Sequence, residues 1–201
     1  LESRNFIFPG LIAVIMMIIA ALLTSLTVAR ERENGTMEQL ISTPVKGPEL
    51  VIGKLTPYVV IGMIDVAIAV LMGEFLFHVP LRGSVVMLFG LSFIFLVGVL
   101  SLGVLFSVLS KTQVMASQMT MLATFVPSFL LSGFIFPISN MPKIIQLITY
   151  IVPARYYITM LKGIYLKGVG PSVLYVEAIF MIIFGVVMLM LAIVKFKKKL
   201  E

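Results

Sequence analysis

The chain has no cysteine, no tryptophan and little charge: only 12% of its 201 residues are Asp, Glu, Lys or Arg. The lack of cysteine excludes structural disulfides, thiolate metal sites and thiol catalysis. In a soluble domain, roughly 25% of the residues are charged. Here 60% of the residues are hydrophobic and the mean hydropathy is +1.15. The composition therefore predicts an integral membrane protein.

The basic residues do not indicate a nucleic-acid partner, although the net charge is +6. Most of them stand singly in short loops, and four lysines lie between residues 195 and 199, after the last apolar segment. A cationic cluster directly after a span is typical of a cytoplasmic anchor that faces anionic lipid. We therefore expect a lipid membrane, and no nucleic acid, as a partner.

Five apolar segments are long enough to cross ~30 Å of hydrocarbon, which takes about 20 helical residues. They are residues 6–29, 58–79, 84–109, 114–136 and 173–194. Residues 144–152 are apolar but too short to cross, as in a half-length helix buried within the protein. We predict an all-α membrane protein with one transmembrane domain, 1–201. It has five transmembrane helices, a short cytoplasmic helix in the loop 30–57, and an extracytoplasmic re-entrant helical hairpin at 137–168.

Lysine and arginine counts favour a cytoplasmic C-terminus, which five crossings place opposite the N-terminus. Nine of the 15 basic residues then lie inside and six outside. The chain begins Leu1-Glu2-Ser3, without an initiator methionine, so we expect an N-terminally truncated fragment of a longer parent. We predict a multi-pass protein of the bacterial inner (plasma) membrane.

The most informative segment is the polar, mixed-charge block at residues 29–44 in the first inner loop. Thr36 and Gln39 fit a capping box, and Pro44 disfavours helical geometry at the residue before it. This predicts a two-turn helix at residues 37–42. Pro48 and Glu49 then favour the start of a helix that continues into the second span. A merely solvated loop would also carry charge, but a short helix with an apolar face has little to bury against within its own loop.

Two motifs resemble those of one family of membrane proteins. Residues 31–54 read Glu-Arg-Glu-x-Gly-Thr-Met-Glu-Gln-Leu-x-x-Thr-Pro and end in Gly-Lys. They resemble the first cytoplasmic loop of the type-2 ABC exporter permeases. Residues 133–137 read Gly-Phe-x-Phe-Pro, and residues 153–156 read Pro-x-Arg-Tyr. These resemble the extracytoplasmic element that joins the last two spans of the same family.

The resemblance implies a permease subunit of an ATP-binding-cassette exporter, which moves substrate out of the cytoplasm. A separate ATPase subunit would bind ATP and Mg, so this chain would hold no cofactor, and a second permease copy or a paralogue would complete the transporter. Family members usually have six spans, so this chain would lack the first. The coupling helix that contacts the ATPase would involve Glu31, Glu33, Gly35, Thr36, Glu38, Gln39 and Leu40. The re-entrant hairpin would involve Gly133, Pro137, Asn140, Pro142, Pro153 and Arg155.

Polar residues inside the spans are further candidates, because ionisable groups are costly in lipid. Asp65 lies within the second span, where a pathway or gating role and a helix–helix hydrogen bond are equally compatible with the pattern. Glu74 lies on the opposite face of that helix near its outer end, where it could extend to the membrane surface or meet Arg155, and a structural role is favoured. The fourth span carries a polar stripe that suits helix packing better than a pathway. Its residues are Gln113, Ser117, Thr120, Thr124 and Ser128.

Three smaller expectations concern packing and capping. Gly98, Gly103 and Ser107 in the third span indicate close helix contacts. Ser139 or Asn140 is expected to cap the short outer helix, which Pro153 would end.

No catalytic centre is evident, because the sequence has no nucleophile–base pair or metal-ligand spacing, and its single histidine, His78, lacks a second ligand. The alternative function is an ion-coupled secondary transporter in which Asp65 binds a proton or sodium. A third class, a membrane scaffold without transport, also remains open.

Overall fold

A computed structural model describes residues 3–36, 45–79 and 81–200, with side chains from residue 7 to residue 196. These ranges contain helices and turns and no strand, so the predicted all-α class is confirmed. The helices are α1 (Ser3–Glu33), α2 (Gly47–Phe75), α3 (Val85–Leu109), α4 (Gln113–Val126), α5 (Lys143–Thr149), α6 (Pro153–Lys162) and α7 (Pro171–Leu200). π-Helical turns extend α4 over Pro127–Leu131 and α6 over Gly163–Lys167, and Ile138–Asn140 forms a 3-10 turn.

Five helices are long and apolar enough to cross a membrane: α1, α2, α3, α7, and α4 together with its π-helical turn. They correspond to the five predicted apolar segments, which confirms the predicted all-α membrane protein; a bent helix pair would be a sixth candidate if it crossed as one span. The pair formed by α5 and the extended α6 is bent by 82° at the break between them. Its placement as a re-entrant hairpin stays a prediction.

Helix ends differ from the ends of the apolar segments. α1 continues past residue 29 to Glu33, and α2 begins at Gly47, ahead of the apolar segment at 58–79. Charged Arg and Glu are good helix formers, so backbone hydrogen bonding continues where hydropathy falls. As predicted, Pro48 lies in the first turn of α2, and the Glu49 carboxylate accepts the Lys46 backbone N–H at 3.1 Å.

α3 lies at the centre of the bundle and packs against α1, α2, α4, α6 and α7. Its contact with α1 is close, since a Cβ at Gly103 would stand 2.3 Å from the Ala21 carbonyl oxygen. Beside it, the Thr24 hydroxyl donates to the Leu100 carbonyl at 2.9 Å. Small residues that let backbones approach, joined by hydroxyl hydrogen bonds, are typical of helix contacts in membranes.

Two further contacts of α3 follow the same pattern. The Ser107 hydroxyl accepts hydrogen bonds from the backbone N–H groups of Val28 and Ala29 at 3.0 and 2.9 Å. A Cβ at Gly98 would stand 3.2 Å from Gly185 Cα of α7. The predicted packing role of Gly98, Gly103 and Ser107 is therefore confirmed.

Candidate functional site

The last turn of α1 is tied to the beginning of α2 by an ion pair. The Glu31 carboxylate contacts the Lys54 ammonium, and the exposed fractions of these side chains are 26% and 13%. The second Glu31 carboxylate oxygen is buried and has no hydrogen-bond partner among the described residues. An ion pair with this little exposure is screened less by water and salt than a surface pair. It fixes the distance between the two helix ends that flank the charged loop.

The same turn of α1 also holds the connection between α3 and α4. The Arg32 guanidinium donates to the Ser110 carbonyl at the end of α3. The Glu33 carboxylate accepts the Gln113 backbone N–H at 3.0 Å and its side-chain amide, while Arg30 donates to the Gln113 side-chain oxygen at 3.3 Å. A cation at a helix C-terminus and an anion at an N-terminus are each electrostatically favourable.

These contacts define an inner clamp, made of the α1 residues Arg30, Glu31, Arg32 and Glu33 with their partners Lys54, Ser110 and Gln113. It joins α1 to α2, α3 and α4 at one end of the bundle. The two glutamates expected to contact an ATPase are thus already bonded within the chain. Through them a force on the loop would reach α2 and α4, and through Arg32 it would reach α3.

Gly35 and Thr36 terminate α1. Gly35 has φ +72°, and the backbone N–H groups of Gly35 and Thr36 donate to the Arg32 and Glu31 carbonyls at 3.2 and 3.0 Å. This is a Schellman motif, in which a left-handed glycine closes the helix. The Thr36 hydroxyl also donates to the Glu31 carbonyl at 3.2 Å. The other predicted coupling residues, and with them the helix at 37–42, lie outside the described residues: Glu38, Gln39 and Leu40.

An apolar cavity of about 590 Å³ lies between α1, α2 and α3. Leu96 and Leu100 of α3 form part of its wall. On α1 the lining side chains recur every four residues, which places them on one face of the helix. They form two adjacent rows, Ile7, Leu11, Ile15, Ile19 and Leu23, and Phe8, Ile12, Met16 and Ala20.

Among the residues that the structure describes, Asp65 of α2 is the only charged one that lines this cavity. Its side chain is exposed and has no hydrogen-bond or ionic partner in that part of the chain. Tyr58 and Met72, which also line the cavity, lie on the same α2 face, about 10 Å from Asp65 in either direction at 1.5 Å per residue. The described residues show no helix–helix hydrogen bond of Asp65, and its predicted place on a pathway stays a prediction.

A second, more polar cavity of about 450 Å³ lies next to the first, also between α1 and α2. Arg30, Glu31 and Lys54 of the inner clamp line it. Leu23 and Tyr58 line both cavities, so the two adjoin at these side chains. The inner clamp, the polar cavity and the apolar cavity therefore follow one another along the α1–α2 interface.

The polar stripe of α4 faces α1 and lines neither of the two cavities. Thr120 and Thr124 are fully buried, and their hydroxyls donate to the carbonyls of the preceding turn at 2.8 Å. The Ser128 hydroxyl, also buried, contacts Met17 Sδ of α1 at 3.0 Å. Ser117 bonds the Val114 carbonyl at 2.9 Å. This geometry supports the packing interpretation of the stripe.

The segment between α4 and α5 contains several of the predicted hairpin residues. Gly133 has φ +77° just after the π-helical turn, and Pro137 precedes the 3-10 turn. The expected cap on α5 by Ser139 or Asn140 is wrong, because Pro142 occupies the N-cap position and no side chain bonds there. The intervening 3-10 turn uses the Asn140 backbone N–H for a bond to the Pro137 carbonyl at 3.0 Å.

Arg155 anchors the break between α5 and α6. Its guanidinium donates to the Thr149 hydroxyl and lies 4.0 Å from the Tyr150 ring centre, a cation–π contact. A contact with Glu74, the less favoured alternative for that residue, is not among the ion pairs of the described residues. Pro153 lies in the first turn of α6, where its missing N–H costs nothing, so it begins that helix.

Comparison with known protein families identifies the family of this chain. A family model described as "ABC-2 family transporter protein" matches residues 1–194. The chain belongs to the ABC-2 transporter family. This confirms the family that the loop motif and the outer motif indicated.

Among the relatives of this ABC-2 chain is "Probable multidrug ABC transporter permease YbhS" of Escherichia coli strain K12, 44% identical over 199 residues. The match covers 99% of this chain and 53% of the relative. "Probable multidrug ABC transporter permease YbhR" of the same strain is 34% identical over 178 residues, 87% of this chain and 47% of the relative. The Dictyostelium discoideum "ABC transporter G family member 20" is 25% identical over 166 residues. The chain spans about half the length of the bacterial relatives YbhS and YbhR.

Sequence reasoning missed three residues of the site in this ABC-2 domain. Lys54 is visible only as the end of the loop motif, and Gln113 only as the start of a polar stripe. Tyr58 reads as the first residue of an apolar span. The signal that could have indicated the Glu31–Lys54 pair was their opposite charge at the two helix ends that flank one loop. It was not sufficient, because the distance between the two side chains depends on how α1 and α2 pack.

Proposed function

We propose that this domain is the membrane-spanning permease part of an ABC exporter. A separate ATPase subunit hydrolyses ATP, and the movement that results carries substrate out of the cytoplasm. The chain itself contributes a passage and no catalytic group. Family membership supports an ABC transporter membrane domain, and the relatives named multidrug permeases support a drug-like cargo.

The observation that carries the proposal is the position of the Glu31–Lys54 ion pair. It joins the two helices that flank the charged loop, and both residues line the polar cavity that adjoins the apolar one. An ATPase that binds the loop would displace the end of α1 when it moves, and this displacement would separate the Glu31–Lys54 pair. The α1–α2 interface would then open at the clamp and admit substrate from the cytoplasm.

The inner clamp gives each coupling glutamate a defined role in this mechanism. Glu31 transmits the movement to α2 through Lys54, and Glu33 transmits it to α4 through Gln113. The loop residues beyond Thr36 make the contact with the ATPase. A second copy of the permease, or a close relative, supplies the other half of the passage.

Charge reversal tests the role of the ion pair in the complete parent protein with its ATPase, in inside-out vesicles. Glu31→Lys and Lys54→Glu should each remove most ATP-dependent uptake of a fluorescent drug, because like charges then meet at the clamp. The double variant restores the attraction and should regain at least half of the uptake. Glu74→Gln, which lies outside the clamp and both cavities, should leave the uptake unchanged.

Two outcomes would contradict the proposal. If the double variant is as inactive as the single ones, the ion pair is not the transmitting contact. If uptake persists without ATP and stops when sodium and proton gradients are collapsed, the protein is an ion-coupled carrier. In that case Asp65 becomes the ion-binding residue.

A further inference from the structure

We propose that the apolar cavity binds an amphiphilic cation, with Asp65 as the counter-ion. Such a ligand has a bulky apolar body and one ammonium- or phosphonium-type charge. The proposal rests on the proposed function only in treating the ligand as cargo. The binding itself follows from the composition of the cavity wall.

The first argument is the isolation of the Asp65 carboxylate. A charged side chain deep in a span is costly unless it is paired or hydrated. No lysine, arginine or histidine lines the cavity, and Asp65 has no partner among the described residues. Coulomb attraction is several times stronger in a low-dielectric cavity than in water. A cationic ligand would therefore supply the missing charge where it is most favourable.

The second argument is the size and nature of the remaining wall. A volume of about 590 Å³ falls in the usual range of ~300–1,000 Å³ for sites that take drug-sized ligands. Apart from Asp65 and the Tyr58 hydroxyl, the wall is apolar, and the α1 row of Ile and Leu forms its exposed side. Such a wall accommodates an apolar body and has no hydrogen-bond pattern that would require a particular shape.

The third argument is the route between the two cavities. Tyr58 stands where they adjoin, and its aromatic face is a favourable surface for a passing cation. The polar cavity before it is lined by the ion pair of Glu31 and Lys54 and by Arg30, so it has no excess of negative charge. A cation that passes from the polar cavity into the apolar one meets the Tyr58 ring and then the Asp65 carboxylate.

Equilibrium binding to the complete parent protein in lipid nanodiscs, without ATP, tests the inference. The probes are tetraphenylphosphonium and tetraphenylborate, which share shape and hydrophobicity and differ in the sign of the charge; binding to empty nanodiscs is subtracted. We expect the cation to bind and the anion to bind at least about tenfold more weakly, because Asp65 attracts one and repels the other. Asp65→Asn should reduce the affinity for the cation at least about tenfold, so that the affinities for the two probes become more alike.

Glu74→Gln is the matched control, since Glu74 is an exposed carboxylate on the same helix that does not line the cavity. It should leave the affinity for both probes unchanged, and both variants should retain the thermal unfolding midpoint of the parent. Equal binding of cation and anion would overturn the inference, as would a loss of the same size in both variants. Absence of cation binding would also overturn it. Because no ATP is present, failure of the exporter mechanism alone would not alter these results.

Discussion

Single residues on α3 decide how closely its neighbours approach. Gly103 allows the backbone of α1 to approach closely, and Gly98 does the same for α7. The Ser107 hydroxyl accepts hydrogen bonds from the α1 backbone. With lipid on the outside, apolar burial gives little preference for helix–helix over helix–lipid contact, so close packing and hydrogen bonds carry the association. The site depends on these contacts, because they set the distance between α1 and α3 on either side of the cavity.

Gly103→Ala should destabilise the domain by about 1–3 kcal/mol, as overpacking does elsewhere. The added methyl group would meet Thr24 Oγ1 at 2.1 Å and the Ala21 carbonyl oxygen at 2.3 Å, and the backbone oxygen cannot rotate away. Gly90→Ala on the same helix is the control, because nothing lies within 4 Å of its Cβ position. Thermal unfolding in detergent, followed by circular dichroism, should show a lower midpoint for the first variant only. Equal midpoints would mean that α1 moves aside without cost.

Prediction at the residue scale succeeds where one residue type has one physical use. Glycine and serine in an apolar helix indicate close packing, and Gly98, Gly103 and Ser107 are found there. It fails where a side chain can choose between partners. Asn140 belongs to a 3-10 turn and leaves α5 uncapped. The bonds of Glu31 and Glu33 within the chain were not predicted, because their partners Lys54 and Gln113 lie 23 and 80 residues away in sequence and no local pattern identifies them.

At the scale of elements, the beginning of α4 depends on the end of α1. The first N–H groups of a helix lack partners inside it. Thr112 caps the Met115 N–H at 3.1 Å, while the Gln113 N–H is bonded by Glu33 of α1 at 3.0 Å. Capping by a different helix couples the positions of the two elements, which a cap from the same segment does not do.

Glu33→Ala should therefore loosen the first turn of α4, by about 1 kcal/mol, the usual effect of losing a cap. Hydrogen–deuterium exchange should become faster at residues 113–116 and stay unchanged at the start of α2. Glu49→Ala serves as the reciprocal control, because Glu49 accepts a hydrogen bond at the start of its own helix. It should speed exchange around residues 46–50 and leave α4 protected. Unchanged exchange in α4 after loss of Glu33 would show that Thr112 alone holds this turn.

Hydropathy predicts the elements that cross the membrane but not where they end. The five long helices coincide with the apolar segments, because length and apolarity are the requirements of a span. The charged extension of α1 to Glu33 is stabilised by contacts with α2 and with the α3–α4 connection, and those contacts arise only in the folded bundle. The two cavities likewise depend on packing between helices and could not be predicted from any one of them.

At the scale of the whole molecule, the outward-facing surface is apolar, as contact with lipid requires. Large apolar side chains are exposed along α2 and α7, among them Ile64, Ile68, Ile183 and Val187. The inner clamp and the bent α5–α6 pair lie at the two ends of this apolar belt. The proposed mechanism requires that the clamp face the cytoplasm, where an ATPase has access to it.

Cysteine labelling in the intact parent protein tests that orientation. This chain has no cysteine, so within it only the introduced thiols can be labelled. Lys46→Cys and Lys111→Cys place exposed thiols at the clamp end, and Arg82→Cys and Lys167→Cys place them at the other end. In intact cells, a membrane-impermeant maleimide should label the second pair and spare the first, because lysine and arginine favour the cytoplasmic side. Inside-out vesicles should give the reverse result. Labelling of the clamp end in intact cells would place it outside, where ATP is not available, and would rule out coupling through this loop.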